Sequence, residues 1–450
     1  MESRLDRRTL IAGLGAGLGR AGLGRAGLGA AMLGPAWPGI AAEGRRSLAL
    51  DAATAAIALR PGAPDAPIWS LSAAVADPGL SFRPGDPLEI SVDNHLPAPI
   101  ALNWHGIDGA VALEPLLERP PLTAGGHESL VIAMRQAGTL LCDARFLGDP
   151  GAQPSRACAV VIAEPGPPLA DRDLTLLIED WRLDAAGSAI AAGSAALAAT
   201  ALYSINGQPL MEIPTRLHQR FRLRLINGCQ RTIIAIKIED HEVRVIALDS
   251  QPAEPFAARA GALVLAPGGR ADTLIDATLQ SGQTSSILLH DGITARPIAR
   301  LTGSNEPALR SAPLPAAAAL PSNDLPLHLD LKNALRVDVM LGGPPASWVT
   351  PAVFAPTAPP MFRAKSGRTV VLALSNRAAG STVFHLHGHH FRLLDRLDDG
   401  WKPFWLDTLA LEAGQTQRIA FAAQHAGHWL MESMATEWTA PRLLTWYRID

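Results

Sequence analysis

Glycine and proline punctuate this chain so often that few stretches stay uninterrupted long enough to build a helix. There are 40 Gly and 37 Pro in 450 residues. Proline removes a backbone donor and clashes inside a helix, and glycine adds conformational freedom that favours turns. Between these breaks lie short β-branched and leucine-rich runs: Leu88–Asp93, Ala159–Ala163, Leu174–Ile178, Val243–Asp249 and Leu263–Arg270. Such runs, bounded by turn residues, read as strands, and helical periodicity is weak beside them. The fold class is therefore all-β. Glu164-Pro-Gly-Pro-Pro168 marks one boundary, and the Pro/Ala-rich stretch from about Ser304 to Leu325 marks another. The reading is residues 43–166, 167–305 and 326–450 as three β-sandwich domains, with 306–325 as a linker.

A formal net charge of -3 with 18% charged residues offers no electrostatic pull towards nucleic acid. The N-terminus reads differently. Arg7-Arg8 precede a weakly apolar Gly/Ala/Leu stretch, which resembles a twin-arginine export signal over residues 1–42. Arg20 and Arg25 interrupt that stretch, and a charge at the centre of a membrane helix costs roughly 2.5–3.5 kcal/mol. Export with cleavage near Ala42 is expected rather than a stable membrane span, with the twin-arginine translocase as partner in transit and the periplasm as destination. Three cysteines, Cys142, Cys158 and Cys229, allow at most one internal disulfide, and the sequence does not pair them.

The chain's most distinctive stretch is Thr382-Val-Phe-His-Leu-His-Gly-His-His-Phe391. On a strand, residues two apart share a face, so His385, His387 and His389 could present imidazoles together to a metal. A bare H-x-H pair is more often a core pair than a ligand pair. Here Trp401-Lys-Pro-Phe-Trp-Leu-Asp-Thr408 and Ala426-Gly-His-Trp429 follow. Together the three motifs resemble the C-terminal copper region of the multicopper oxidases, the laccase family. The resemblance implies three cupredoxin-like Greek-key domains, a mononuclear blue copper, and a trinuclear cluster that reduces dioxygen.

Four histidine motifs carry those centres in the family, and this chain departs from each. The first reads Asn103-Trp-His105, and the second has Asp143 and Arg145 where two histidines belong. The third keeps His385 and His387 but has Thr382 at the blue-copper histidine. The fourth reads Glu432-Ser433-Met434 for H-C-H, with Trp438 for the later histidine and Leu443 at the axial position. A blue site needs a thiolate and two imidazoles, and arginine offers a cation where a metal needs a lone pair.

Several expectations follow. No catalytic residue and no cofactor are expected, and the chain reads as a copper-free module serving an unidentified periplasmic or envelope protein. The resembled family includes a copper-free twin-arginine-exported protein that supports cell division, a precedent that fold analogy alone does not assign to this chain. One alternative is a copper oxidoreductase of laccase or copper(I)-oxidase type. Another is a single copper or zinc ion on His105, His385 and His387, with Glu432 or Asp143 as fourth ligand. A buried Arg145 must pair with a carboxylate; Asp143 and Glu432 are the candidates, and Glu432 is the expected partner. Cys142 reads as a small buried thiol, Trp438 as a plug, and His389, His390, His425 and His428 as surface residues. The alternation Arg220-Phe-Arg-Leu-Arg-Leu225 reads as a strand with a solvated arginine face.

Overall fold

The computed structural model describes residues 46–75, 85–147, 153–194, 199, 201–342, 348–395 and 400–450. The twin-arginine-like segment lies outside these residues. Six sheets of five, six, five, four, five and three strands make up the described chain. Each sheet draws its strands from one stretch: residues 47–162 supply the first five-stranded sheet and the three-stranded one, residues 172–303 the next two, and residues 335–449 the last two. Among the described residues no helix is long and apolar enough to cross a membrane.

Local sequence explains the layering. In Pro87–Asn94, Leu88, Ile90 and Val92 turn inward while the residues between them stay partly accessible. They pack with Leu48, Leu50 and Ile132 into the core of the first stretch. The middle core gathers Leu176, Ile178, Phe221, Leu223, Leu225 and Ile236. The third gathers Leu372, Leu374, Phe384, Phe421, Met431 and Tyr447. Each fully buried side chain of this size contributes roughly 1.5–3 kcal/mol.

One expectation is overturned here. Strand Arg220–Asn227 is buried along its whole length, so the arginine face is not solvated. Arg220 forms a bidentate pair with Asp276, Arg222 with Glu164, and Arg224 with Asp173. Arg222 and Arg224 share Asp272, at 2.5 and 3.0 Å. The face is closed by other parts of the chain: Thr139 accepts from Arg224 Nη1, while Leu314 and Pro315 carbonyls accept from Arg220. The proline-rich stretch thus docks on the middle sheets, with Leu320 buried beside Ile246, Ala247 and Leu274.

Candidate metal centre

Two sets of paired strands build the site. Asn103–His105 runs antiparallel to Gly138–Asp143, with Asn103 opposite Asp143, Trp104 opposite Cys142 and His105 opposite Leu141. Strand alternation sends Asn103, His105 and Asp143 to one face and Trp104 and Cys142 to the other, into the first core. In the third stretch Thr382–Leu386 lies between Thr408–Leu411 and Gly427–Ala435. His385 stands opposite Thr408 and Glu432, Val383 opposite Met434, and Phe384 opposite Ser433. His385, Glu432 and Met434 therefore share one face, while Thr382, Ser433 and the Leu443 opposite it share the other.

The first face meets Asn103 and His105. The His105 and His385 rings lie 3.9 Å apart, and those of His385 and His387 4.7 Å apart. His387 is held from both sides, with Nδ1 2.9 Å from Glu114 Oε1 and Nε2 2.8 Å from Glu432 Oε1. Glu432 also accepts from Asn103 Nδ2 at 2.8 Å and pairs with Arg442. Glu114 accepts from Leu430 N at 2.8 Å. The result is a buried chain of alternating charge, Glu114, His387, Glu432, Arg442.

The electrostatics follow from this geometry. Burial opposes charge on His387, but Glu114 and Glu432 overcome it and raise its pKa to about 10. Burial and the neighbouring His387 charge lower His385 to about 4, and burial with His385 holds His105 well below the usual range. Burial pushes Glu432 up, yet Arg442 and His387 keep it well below an ordinary carboxylate. Beside them, Arg270 pairs with Asp407 at 2.8 Å, and the Asp407 carbonyl and Thr408 Oγ1 each lie 3.1 Å from His385 Nδ1.

Other expectations are corrected. Arg145 is buried and paired, but with Asp143, at 3.3 Å, while its Nη1 donates to Gly228 O at 2.9 Å. Arg442 takes Glu432 instead, because it enters from Arg442–Ile449, the strand paired with Gly427–Ala435. His389 does not join His385 and His387. The strand ends at Leu386, and Gly388 adopts φ +70 where an added Cβ would fall inside the Trp429 indole. The chain turns there, and His389 packs on Phe421, Trp429 and Tyr447. Neither His389 nor His390 is at the surface. His390 bonds Asp108 at 2.7 Å and the Asp249 carbonyl at 2.6 Å, and although burial opposes it, Asp108 raises its pKa to about 9. His425 and His428 are half-buried.

On the opposite face, buried Thr382 donates to Asn376 Oδ1 at 3.0 Å. Trp438 is buried, donates to Ala191 O at 3.2 Å, and carries the Arg182 guanidinium 5.1 Å from its ring centre. Sequence reasoning missed Glu114, Asp407, Arg270 and Arg442. Asp407 lies inside the motif Trp401–Thr408, directly before the strand Thr408–Leu411, and Arg442 directly precedes Leu443.

Residues 172–290 and 328–450 each match a family model described as multicopper oxidase. The chain belongs to the multicopper oxidase family. It is 24% identical over 419 residues to Multicopper oxidase MmcO of Mycobacterium tuberculosis, covering 79% of this chain and 78% of that protein. It is 26% identical over 282 residues to Putative laccase-11 of Oryza sativa subsp. japonica, spanning 54% of this chain but only 51% of the rice protein. A multicopper oxidase from Pseudomonas thermotolerans shares the fold with a TM-score of 0.75 at 24% identity, covering 90% of this chain and 99% of that one. Lac15 from a marine microbial metagenome gives a TM-score of 0.71 at 25% identity, over 90% and 100%.

Among the described residues of this laccase-like member, two trios bring possible ligand atoms within 4.8 Å of one another: His105, His385 and Asp407, and His385, His387 and Glu432. The cavity between Asp143, Arg145, His105, His385 and Glu432 is about 30 Å³. At the 10–15 Å³ a water requires, that is room for about two waters.

Proposed function

We propose that this multicopper oxidase relative has given up the copper relay and acts as an exported binding or structural module of the cell envelope. One observation carries the reading: both ring nitrogens of His387 are engaged by buried carboxylates, in a chain that ends on Arg442. An imidazolium has no lone pair to give a metal. The positive charge that copper would bring is supplied by His387 and Arg442, and Arg145 with Asp143 fills two further ligand positions. These residues do not fit a trinuclear cluster. Nor do Thr382, Ser433 and Trp438 fit a blue copper, which requires thiolate and imidazole. A cavity of about 700 Å³, lined by Leu263, Leu265, Leu393, Phe404, Leu406 and Leu409, is of ligand size and supports a binding role.

The test is copper reconstitution of the purified protein, followed by metal analysis, visible absorption, and oxygen uptake with a phenol and with copper(I). The expected result is no stoichiometric copper, no blue band and no oxygen uptake. Several coppers per chain with turnover would overturn the proposal. A second reading rests on the trio His385, His387 and Glu432, whose ligand atoms are close enough for one zinc or copper ion. It predicts one bound ion per chain, lost in His385→Ala.

A further inference from the structure

We propose that Cys142 and Cys158 form a disulfide that ties strand Gly138–Asp143 to strand Cys158–Ile162. The two strands pair antiparallel, and the register sets Cys142 directly opposite Cys158. Opposed residues in an antiparallel pair have Cα atoms about 4.5–5.5 Å apart and side chains on the same face. That separation falls inside the roughly 4.4–6.8 Å that a disulfide spans, while opposed Cβ atoms, about 4.5–5.5 Å apart, must draw in to about 4.5 Å or less; both thiols are free in this structure. Both cysteines belong to the same buried cluster, with Leu140, Val160 and Ile162 around them. Cys229 lies in the middle core, where its thiol faces the Ile178 carbonyl at 3.8 Å. The Cys158 thiol likewise faces a carbonyl, that of Ala159 at 3.6 Å, so it is the strand register and the shared core that set Cys142 and Cys158 together and Cys229 apart.

The bond needs an oxidant, and a low-molecular-weight disulfide supplies it. Cys158, 7% exposed against 0% for Cys142, is the sulfur that meets the reagent. Its thiolate attacks the oxidant's S–S bond and releases one thiol. The Cys142 thiolate then attacks the mixed disulfide, forming the Sγ–Sγ bond and releasing the second thiol. The protein loses two electrons and two protons, and the oxidant gains both. Burial holds the Cys158 thiol up at about 12 and Cys142 well above its ordinary value, so exchange in the folded protein is slow. The consequence is local. Asp143, at the end of the tethered strand, keeps its place beside Asn103 and Arg145 whether or not any metal binds.

The test uses the full reduced chain, incubated folded with oxidised glutathione overnight at mildly alkaline pH, then denatured, alkylated and mapped without reduction. The expected result is one alkylated cysteine, Cys229, and a linked peptide pair joining Cys142 to Cys158. Three alkylated cysteines, a bond to Cys229, or glutathione held on Cys158 without closure would each overturn the proposal. As a second measurement, oxidation should raise the urea midpoint of the unmodified chain and leave Cys158→Ser unchanged. Equal shifts in both would also overturn it, and the peptide map of the native chain stands even where the variant folds poorly.

Discussion

Two buried ionic assemblies sit in this molecule, one on the middle sheet and one at the candidate site, and they are built on opposite terms. On Arg220–Asn227 the cations are guanidiniums, and two of the acids stand directly across the ladder: Arg220 opposite Asp276 and Arg224 opposite Asp272. Cross-strand register alone delivers those pairs. At the candidate site the central cation is an imidazolium, and the groups around it come from far apart, Asn103 and Glu432 being 329 residues distant. The first assembly cannot lose its positive charge by deprotonation, whereas the second can. The sheet's guanidiniums stay charged at any ordinary pH; at the site the two carboxylate links of His387 weaken once that imidazole gives up its proton, while Arg442 and Asn103 still hold Glu432.

The largest expected effect is on the sheet. Asp272→Ala removes the shared acceptor of Arg222, Arg224 and Thr139. Three buried donors lose one acceptor at once, which costs roughly 3–5 kcal/mol even though Arg222 keeps Glu164 and Arg224 keeps Asp173, read as a lowered urea midpoint. A loss under about 1 kcal/mol would mean that Glu164 and Asp173 suffice, and that the ladder is less tightly matched than its geometry suggests.

At the site, Arg442→Met should cost about 3 kcal/mol, since Glu432 keeps only His387 and Asn103 as partners. Adding Glu432→Gln should restore about 1–2 kcal/mol of that loss if the two act as a pair. Strict additivity in denaturation of the double variant would break the chain of alternating charge into independent contacts.

pH separates the assemblies more cleanly. His387 is raised to about 10 in the fold, against about 6.5 in an unfolded chain. Its contribution is complete below about pH 6.5 and is lost as pH rises through about 10. Asp272 runs the other way. Burial pushes it up, but Arg224 and Arg222 hold it below the ordinary carboxylate value. Its contribution is complete above about pH 3.9 and is lost as pH falls through its folded value. Urea midpoints across pH should therefore show an alkaline limb that flattens in His387→Gln and an acid limb that flattens in Asp272→Asn. Unchanged limbs in both variants would remove the distinction drawn between the two regions.

The smallest effect belongs to the opposite face of the site strand. Thr382→Val removes one hydroxyl donor to Asn376 Oδ1, which still accepts from Ala378 N at 3.0 Å. About 1 kcal/mol is expected in thermal unfolding. A much larger loss would show that Thr382 organises its surroundings as the family's ligand does.

Much of this was legible in the chain. Glycine and proline spacing pointed to an all-β architecture, and the runs Phe384–Phe391, Trp401–Thr408 and Ala426–Trp429 led to the family. The alternation of Phe221, Leu223 and Leu225 marked a core-facing strand. The same alternation misled on Arg220, Arg222 and Arg224, because a period of two names a polar face without saying whether water or carboxylates cover it. The spacing of His385, His387 and His389 misled in the same way, since it assumed that the strand continued through Gly388.

Residue types alone carry the proposal of a lost copper relay: by the family resemblance, the hydroxyl of Thr382, the indole of Trp438 and the guanidinium of Arg145 fall at positions expected to hold imidazole. Only tertiary structure decided how the remaining charges are shared, giving Glu432 to Arg442 and His387, Asp143 to Arg145, and Asp272 to two arginines. The reason is physical. Ligand chemistry is carried by a side chain wherever it lies, but the pairing of buried charges depends on distances of about 3 Å between residues hundreds of positions apart, and those exist only once the sheets have packed.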